Sequence, residues 1–528
     1  MADNENEKSE SKVSESPFAA PIVTKEGYLE DALEQTKFGC YNYIIIIAAG
    51  VAMCDIYLET ANIAFVLPVS QCELHWTTQQ KAILGSICYF GFIASSHFWG
   101  FLADTTGRKR VTVVGLLGGF ACTIVSSFAN SFAVLLTFRL FNGIFIAGTS
   151  ASIYAYLGEF HTIRTRDKAL MIASIIYGIG CILLPIFAWI IINQDFSWYI
   201  PVIDVHYKSW RLFMVVCGLP GFIIGLVFLA LPESPKYLLS VGKEKETLDV
   251  LQTMYHGNTK KEKNSFPITQ ILKDSDTEEA PKSFYDKSEG LMSIPVAIWN
   301  QTVPLFGKKY IRVTLICCIV QFMVYTTSNG MYVWFPEIVN EVRQFLNENP
   351  DTHMSICTIY DMPGNETVVH QCKESLDIST YKYTLILRCF ALGAFTLLWF
   401  IINKVPKKVL MCCILCICGS SGILTTLLKE PMVAIYFFII SVSTNINLKV
   451  VSAAIVDYYP TKLRAMAFSI ITNIVGHLGA VVASNYIGAL LEHHCGLAFY
   501  TTGGIAILTG FSALLLPKSS RGNVKSEA

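Results

Sequence analysis

The chain has 528 residues, of which 53% are hydrophobic, with a formal net charge of zero and a mean hydropathy of +0.47. This composition is too apolar for a soluble globular protein, and a zero net charge gives no support to nucleic acid as a partner. Most of the 17 cysteines lie inside apolar runs, where a thiol packs as a small hydrophobic group rather than as a metal ligand. We therefore expect an integral membrane protein in contact with the lipid bilayer and without a bound metal.

Residues 1–37 are polar and rich in Glu, Ser and Asn, which predicts a disordered, cytoplasmic N-terminal segment. The first apolar run follows, and Pro68 is expected to end the first membrane helix. Asp55 and Glu59 lie one turn apart in this run, so their side chains share one helix face. Two carboxylates inside a membrane are costly. They indicate either a polar face toward a central cavity, with one carboxyl protonated part of the time, or pairing with structural cations.

The second and third apolar runs are joined by Gly-Phe-Leu-Ala-Asp-Thr-Thr-Gly-Arg-Lys-Arg at residues 100–110. Gly107 permits a tight turn, and Asp104 can cap the next helix or bind a cation. The basic residues indicate the cytoplasmic side, because short cytoplasmic loops collect Lys and Arg. The stretch resembles the G-x-L-a-D-r-x-G-R-k-r signature that follows the second helix of the major facilitator superfamily, with Gly100 and Arg108 among the matching residues.

The fourth apolar run contains Arg139, whose guanidinium needs an anionic or carbonyl partner unless the side chain reaches the membrane interface. Its context resembles the R-x-x-x-G pattern of helix 4 in the same superfamily. The run ends at Glu159, and the basic turn that follows contains Arg166, a partial match to the E-x-x-P-x-x-x-R-G turn of sugar porters. In such families these charges pair with the turn between helices 2 and 3. The resemblance therefore implies a cytoplasmic latch made of Asp104, Arg108, Glu159 and Arg166.

The sixth apolar run ends in Pro-Glu-Ser-Pro-Lys-Tyr-Leu-Leu, which matches the segment closing the first half of sugar porters and synaptic vesicle members of the superfamily. We interpret residues 38–232 as an N-terminal six-helix bundle. Residues 233–308 are polar and mixed in charge, and Lys243–Tyr255 can form an amphipathic helix. They are interpreted as a cytoplasmic linker with short amphipathic helices.

The seventh run contains Gly330 and Pro336, which predict either a bend whose freed backbone groups face a cavity or a kinked packing helix. Residues 340–380 are expected to form a loop on the outer side. Asn365 begins a glycosylation sequon there, whereas a second sequon at Asn300 lies on the cytoplasmic side and is expected to stay unmodified.

Cys357 and Cys372 flank the outer sequon, and they could form a disulfide in an oxidising compartment.

Five further runs complete a C-terminal bundle at residues 309–516, followed by a cytoplasmic tail at 517–528. The turn between the eighth and ninth runs is a degraded copy of residues 100–110, so the sequence gives no support for a second latch. Lys449 in the tenth run is expected to face the cavity and offset Asp55 or Glu59, or else to be a structural or snorkelling side chain.

The turn after the tenth run resembles the [DE]-x-Y-P-T-x-x-R turn of the family, which assigns Asp457 and Arg464 to the cytoplasmic gate. His477 in the eleventh run either titrates near neutral pH or packs. Two related halves imply a midplane cavity between them. Its predicted lining is Asp55, Glu59, Tyr89, Gln321, Tyr325, Asn329, Trp334, Asn445, Lys449, Asn473 and His477.

These motifs together resemble the branch of the major facilitator superfamily that contains synaptic vesicle glycoprotein 2 and organic-ion-transporter-like proteins, without the large luminal domain of the former. The resemblance implies an all-α membrane protein with twelve transmembrane helices in two six-helix bundles and with cytoplasmic termini. It also implies a secondary transporter that moves a small polar or charged organic solute by alternating access, with proton or cation coupling through Asp55 or Glu59. We expect a monomer in the plasma membrane or an intracellular vesicle membrane.

The alternative function is that of a non-transporting membrane protein that binds a ligand or partner and regulates vesicles. The sequence contains no phosphate-binding loop and no nucleophile–base set, so we expect neither an enzyme nor a cofactor.

Overall fold

The computed structural model describes residues 26–272, 302–362, 375–402, 404–459 and 461–517. These residues contain twelve helices that are long and apolar enough to cross a membrane. In chain order, spans 1 to 12 are Cys40–Leu74, Thr78–Thr106, Arg108–Ser127, Phe132–Glu159, Ile163–Ile192, Ser209–Ala230, Ile311–Glu348, Ile378–Leu398, Lys407–Leu427, Pro431–Ile455, Met466–His493 and Cys495–Ala513. Twelve crossings place the residues before span 1 and after span 12 on one side of the membrane. We call that side the terminal face and the other side the opposite face.

Span 1 consists of two helices, Cys40–Ala61 and Ile63–Leu74, and Pro68 lies inside the second. The expectation that Pro68 ends the helix is therefore wrong. The interruption lies at Asn62, whose carbonyl accepts hydrogen bonds from the backbone N–H groups of Phe65 at 3.0 Å and Val66 at 3.2 Å. Proline is tolerated within a membrane helix where neighbouring helices cover the backbone groups that it frees.

Three spans of the second half have interrupted helices. Span 7 changes to a wider π-helical turn over Thr326–Gly330, at the position where the sequence predicts a bend. A side chain at Gly330 would place its Cβ 2.4 Å from the Cβ of Ala483 in span 11, so the bend is also a point of close helix approach. The helical segments of spans 7, 10 and 11 are Ile311–Tyr325, Met331–Glu348, Pro431–Val442, Ser443–Ile446, Asn447–Tyr458, Thr461–Phe468, Ser469–Gly476 and His477–His493.

Short elements lie outside the membrane. Two parallel strands pair before span 1 and after span 6, and an antiparallel hairpin joins spans 5 and 6. The strands are Glu26–Tyr28 with Gln270–Leu272, and Ser197–Ile200 with Val205–Lys208. The short helices are Leu29–Gln35, Pro235–Ser240, Glu244–Thr259, Lys263–Ser265, Val303–Phe306 and Ile356–Tyr360. The helix predicted for the linker is thus present.

The prediction of disorder before span 1 is wrong for the residues described there. Residues 26–37 dock on the linker because Asn258 donates to the carbonyls of Thr36 at 3.1 Å and Lys37 at 2.8 Å. Glu30 accepts a hydrogen bond from the backbone N–H of Ile163 at 2.6 Å, at the beginning of span 5. Composition could not predict this order, because the stabilising partners are distant in sequence.

Spans 1 to 6 form one bundle and spans 7 to 12 form the second. Between the bundles, span 1 packs against span 7, span 2 against span 11, and span 5 against span 8. Buried apolar side chains fill both bundles and the contact between them. The arrangement is the all-α, twelve-helix fold predicted from the sequence.

Candidate functional site

Asp55 and Glu59 are buried inside the first bundle, with 4% and 1% of their surface exposed. One Glu59 carboxylate oxygen accepts hydrogen bonds from the Thr123 hydroxyl at 2.6 Å and the Asn142 amide at 3.2 Å. Both carboxylates fit against glycines of span 6. A Cβ on Gly221 would lie 2.3 Å from an Asp55 oxygen. These glycines of span 6 therefore provide space for the two carboxylates and do not provide a cationic side chain that could pair with them.

Arg139 of span 4 provides a positive charge near this acid pair. Its side chain is fully buried, and its three guanidinium nitrogens have no hydrogen-bond partner among the described residues. It interacts electrostatically with Glu59 without forming a direct ion pair. The predicted pairing of Lys449 with Asp55 or Glu59 is not present in this structure. Two carboxylates and one guanidinium thus share a buried site within one bundle.

Lys449 of span 10 and Tyr154 of span 4 lie apart from this buried site. Both side chains are exposed. Tyr154 is within electrostatic range of Tyr325 of span 7 and Tyr177 of span 5, so we interpret it, with Lys449, as facing an open cavity between the bundles. Both residues lie in the halves of their spans that are nearer the terminal face.

Arg388 of span 8, which the sequence analysis missed, lies between the bundles at mid-depth, with 8% of its surface exposed. Its guanidinium carbon is 3.9 Å from the ring centre of Tyr332 and 4.9 Å from that of Tyr57. The Tyr57 ring in turn meets Tyr177 edge to face, with centroids 6.0 Å apart. Arg388 could have been found by the rule applied to Arg139, because it is a lone arginine inside an apolar run.

Three of the predicted cavity residues form one aromatic contact between the bundles. The imidazole of His477 stacks on Phe92 with centroids 4.3 Å apart, and it lies 4.9 Å from Tyr325 and 5.8 Å from Tyr89. Its Nδ1 bonds to the carbonyl of Asn473 at 2.9 Å. His477 therefore packs between spans 2 and 7, as the packing alternative expected.

The remaining predicted cavity residues are less closely grouped. Trp334 is fully buried and its indole N–H donates to the Ser484 carbonyl at 3.1 Å, so it packs on span 11 instead of lining the cavity. Gln321 is fully buried, and its amide has no hydrogen-bond partner in the described part of the chain. Asn329 and Asn445 are half-buried in spans 7 and 10.

The bundles are joined by polar contacts near the opposite face. Lys81 of span 2 and Glu337 of span 7 form a buried ion pair at 2.5 Å, with 4% and 7% of their surface exposed. The other hydrogen bonds between the bundles, within the described residues, join Ser484 to Ala82, Asn485 to Ser86, Tyr381 to Asn193, and Asn193 to Leu376. All of them lie in the half of the molecule remote from the terminal face.

The signature turn is held together on the terminal face. Gly107 has a φ of +108°, which favours glycine. Arg108 pairs with Asp104 at 2.9 Å and with Glu159 at 3.3 Å. The span that follows is capped by Glu233, which accepts from the Lys109 backbone N–H at 3.0 Å, so Asp104 serves as a cation partner and not as the cap.

One residue assigned to the latch, Arg166, differs from expectation. Arg166 lies on span 5 itself, because the predicted basic turn forms the first turns of that helix. Its Nε donates to the Gly158 carbonyl at 3.1 Å, so it binds backbone instead of the signature turn. Gly100 has open space around its Cα, and no close approach explains it.

The second half has an ion pair that the sequence did not lead us to expect. Lys407, in the first turn of span 9, pairs with Asp457 near the end of the helix Asn447–Tyr458. This pair occupies the position in the second half that Arg108 and Glu159 occupy in the first half. The ion pair is therefore present in both halves, although the turn between spans 8 and 9 lacks the Asp and Gly of the signature. Arg464 follows this turn, and its side chain lies outside the described residues.

The predicted disulfide partner of Cys357 is wrong. Cys357 is bonded to Cys495 at the beginning of span 12, with the two Cα atoms 5.2 Å apart. The fold brings together two cysteines separated by 138 residues, which sequence proximity could not reveal. Cys372 and Asn365 lie outside the described residues.

A model of the Major Facilitator Superfamily matches residues 45–364. The chain belongs to this superfamily. Human synaptic vesicle glycoprotein 2B is 26% identical over 369 residues, covering 67% of this chain and 53% of the relative. Human synaptic vesicle glycoprotein 2A is 26% identical over 326 residues, covering 60% and 44%. The chain thus spans about half the length of the curated relatives it matches.

Solved structures of the superfamily share this fold. The inward-open xylose transporter XylE from E. coli aligns with a TM-score of 0.65 at 13% identity, over 91% of this chain and 98% of that chain. A bacterial homologue of the human lysosomal transporter Spinster, inward-facing and unoccupied, aligns with a TM-score of 0.58 at 14% identity, over 90% and 95%. At these identities the likeness establishes the architecture alone.

Proposed function

We propose that this superfamily member is a secondary transporter that moves a small polar or charged organic solute by alternating access. One observation carries the proposal: the hydrogen bonds between the bundles, among the described residues, lie in the half near the opposite face, while Tyr154 and Lys449 are exposed in the half nearer the terminal face. A carrier needs such one-sided closure, because a path open at both ends would dissipate the gradient.

The charge distribution supports an orientation with the terminal face in the cytoplasm. The turns on that face contain Arg108, Lys109, Arg110 and Lys407, and cytoplasmic loops collect basic residues. Residues 233–308 and the tail at 517–528 are then cytoplasmic, and the conformation is inward-open. We propose a monomer in the plasma membrane or an intracellular vesicle membrane.

The acid pair supports coupling to protons. With both carboxylates ionised, Asp55, Glu59 and Arg139 together carry one net negative charge in a buried site, which is costly. A proton on either carboxyl would neutralise the set, and its release would restore the charge. Binding or loss of one proton can therefore favour one arrangement of span 1 against spans 4 and 6.

The test is flux of labelled organic solutes into proteoliposomes containing the purified chain, with and without an imposed pH gradient. We expect at least one solute to accumulate, and Glu59→Gln to remove the response to the gradient. Glu492→Gln changes an exposed carboxylate and serves as the matched control. Saturable flux that is identical in both variants would refute coupling through Glu59.

Membership of a transporter superfamily favours a carrier over an enzyme. The alternative, a ligand-binding regulator that does not transport, gains no support from the structure. Failure of the whole solute panel to enter proteoliposomes that contain correctly folded protein would favour it.

A further inference from the structure

Two cationic side chains lie in the second bundle on the side of the interpreted cavity. Lys449 is exposed, and Arg388 lies at mid-depth against rings from both bundles, 8% exposed. The carboxylates of Asp55 and Glu59 are turned into the first bundle, where Arg139 partly offsets them. In the described part of the chain, Arg388 makes no ion pair with any carboxylate. Arg388 is therefore a buried cation without a carboxylate partner among the described residues.

Two aromatic rings stabilise Arg388. The faces of Tyr57 and Tyr332 offset part of the cost of burying its charge. Its Nε has no hydrogen-bond partner among the described residues, so at least one donor of the planar group is unsatisfied. A guanidinium in this state is suited to a carboxylate, sulfonate or phosphate, which can accept two parallel hydrogen bonds from it.

The side chains around Arg388 are tyrosine rings, which combine a flat apolar face with a polar hydroxyl group. The phenol oxygens of Tyr57 and Tyr332 are buried without a hydrogen-bond partner in the described residues. Tyr177 lies edge-on to Tyr57 and within electrostatic range of both Arg388 and Tyr154. These rings can stack on a planar apolar body while their hydroxyl groups bind its polar substituents.

We infer that the cavity binds an organic anion, with its acidic group on Arg388 and a planar apolar body against the tyrosine rings that surround Arg388. This inference rests on the proposed transport function, since it names the class of solute. The buried guanidinium disfavours organic cations of the same shape, because like charges in a site of low dielectric repel strongly.

Two permanently charged, planar bicyclic probes of similar size test this inference: naphthalene-2-sulfonate and N-methylquinolinium. Neither crosses a bilayer by changing its protonation state. Equilibrium dialysis with the purified full-length chain in detergent measures binding, and proteoliposome flux is measured separately. We expect saturable binding of the sulfonate and none of the quinolinium.

Arg388→Gln should weaken sulfonate binding about 30-fold or more, the usual effect of removing one partner of a buried charge pair. Arg388→Lys should be intermediate, since it keeps the charge but loses the planar pair of donors. Arg312→Gln, at an exposed arginine of span 7, is the matched control and should bind as the unchanged chain does. If Arg388→Gln does not fold, Tyr332→Leu and Tyr332→Phe replace it, and only the phenylalanine variant should retain binding.

Binding of the quinolinium in preference to the sulfonate, or sulfonate binding that is unchanged in Arg388→Gln, overturns the inference. Absence of binding for both probes also overturns it. Sulfonate binding without flux would leave the anion site standing and refute the transport function. Flux of organic cations alone would refute the anion site and leave the transport function standing.

Discussion

The ion pair between Lys81 and Glu337 should hold the opposite face closed. The two side chains come from different bundles, their atoms approach to 2.5 Å, and both are buried. Opening this face must separate them and expose both to water. Glu337→Gln leaves Lys81 buried and unpaired in the closed state but hydrated in the open one.

Removing one partner of a buried pair costs about 3–5 kcal/mol, and this cost falls on the closed state alone. At the lower value the equilibrium should shift about 150-fold toward the state that opens the opposite face. The neighbouring contacts of Ser484 with Ala82 and Asn485 with Ser86 remain, so the fold itself should persist.

The assay uses Ala82→Cys, a seam position that is 1% exposed, in a chain whose exposed thiols at Cys40, Cys389 and Cys413 are changed to serine. A membrane-impermeant maleimide is added from the opposite face, and the rate of modification is measured. Glu337→Gln should raise this rate strongly.

The exposed Glu348→Gln is the control for Glu337→Gln and should not change the rate. The exchanged pair Lys81→Glu with Glu337→Lys should restore slow modification. An unchanged rate in Glu337→Gln would refute the role of the pair as a gate.

Three further predictions concern regions outside the membrane. Burial lowers the pKa of His161 below its ordinary value, so the unfolded state binds more protons in acid and the protein should lose stability as pH falls below about 6.5. In thermal unfolding scans at pH 5 to 8, His161→Gln should reduce that loss of stability. An unchanged dependence of stability on pH would contradict this prediction. Cys357→Ser, which breaks the bond to Cys495, should lower stability by about 2–5 kcal/mol without reductant, and an equal loss under reducing conditions would argue against the disulfide. Glycan mapping should find sugar at Asn365 and none at Asn300, and sugar at Asn300 would reverse the proposed orientation.

Local sequence predicted the features that depend on local chemistry. The turn at Gly107, the linker helix Glu244–Thr259 and the bend at Gly330 each follow from a few neighbouring residues. Pro68 shows the limit of such reasoning, because surrounding helices let span 1 continue through it.

The candidate site was harder to predict because its geometry depends on residues distant in sequence. The acid pair was identified from the sequence. The positive charge near it comes from Arg139 and not from Lys449, because helix packing determines which cationic side chain lies beside span 1. Arg388 was missed although the rule that selected Arg139 applies to it equally. The bond from Cys357 to Cys495 joins positions that only the folded second half brings together.

The central claim is that one cavity opens to each face in turn. The most direct measurement is the modification of Tyr154→Cys, in the chain without exposed native thiols, by an impermeant reagent added from either side of oriented vesicles. The account predicts reaction from the terminal face alone, and a gain of reaction from the opposite face with a matching loss at the terminal face when Glu337→Gln is added. Simultaneous reaction from both faces, or reaction from the terminal face alone in both chains, would contradict alternating access.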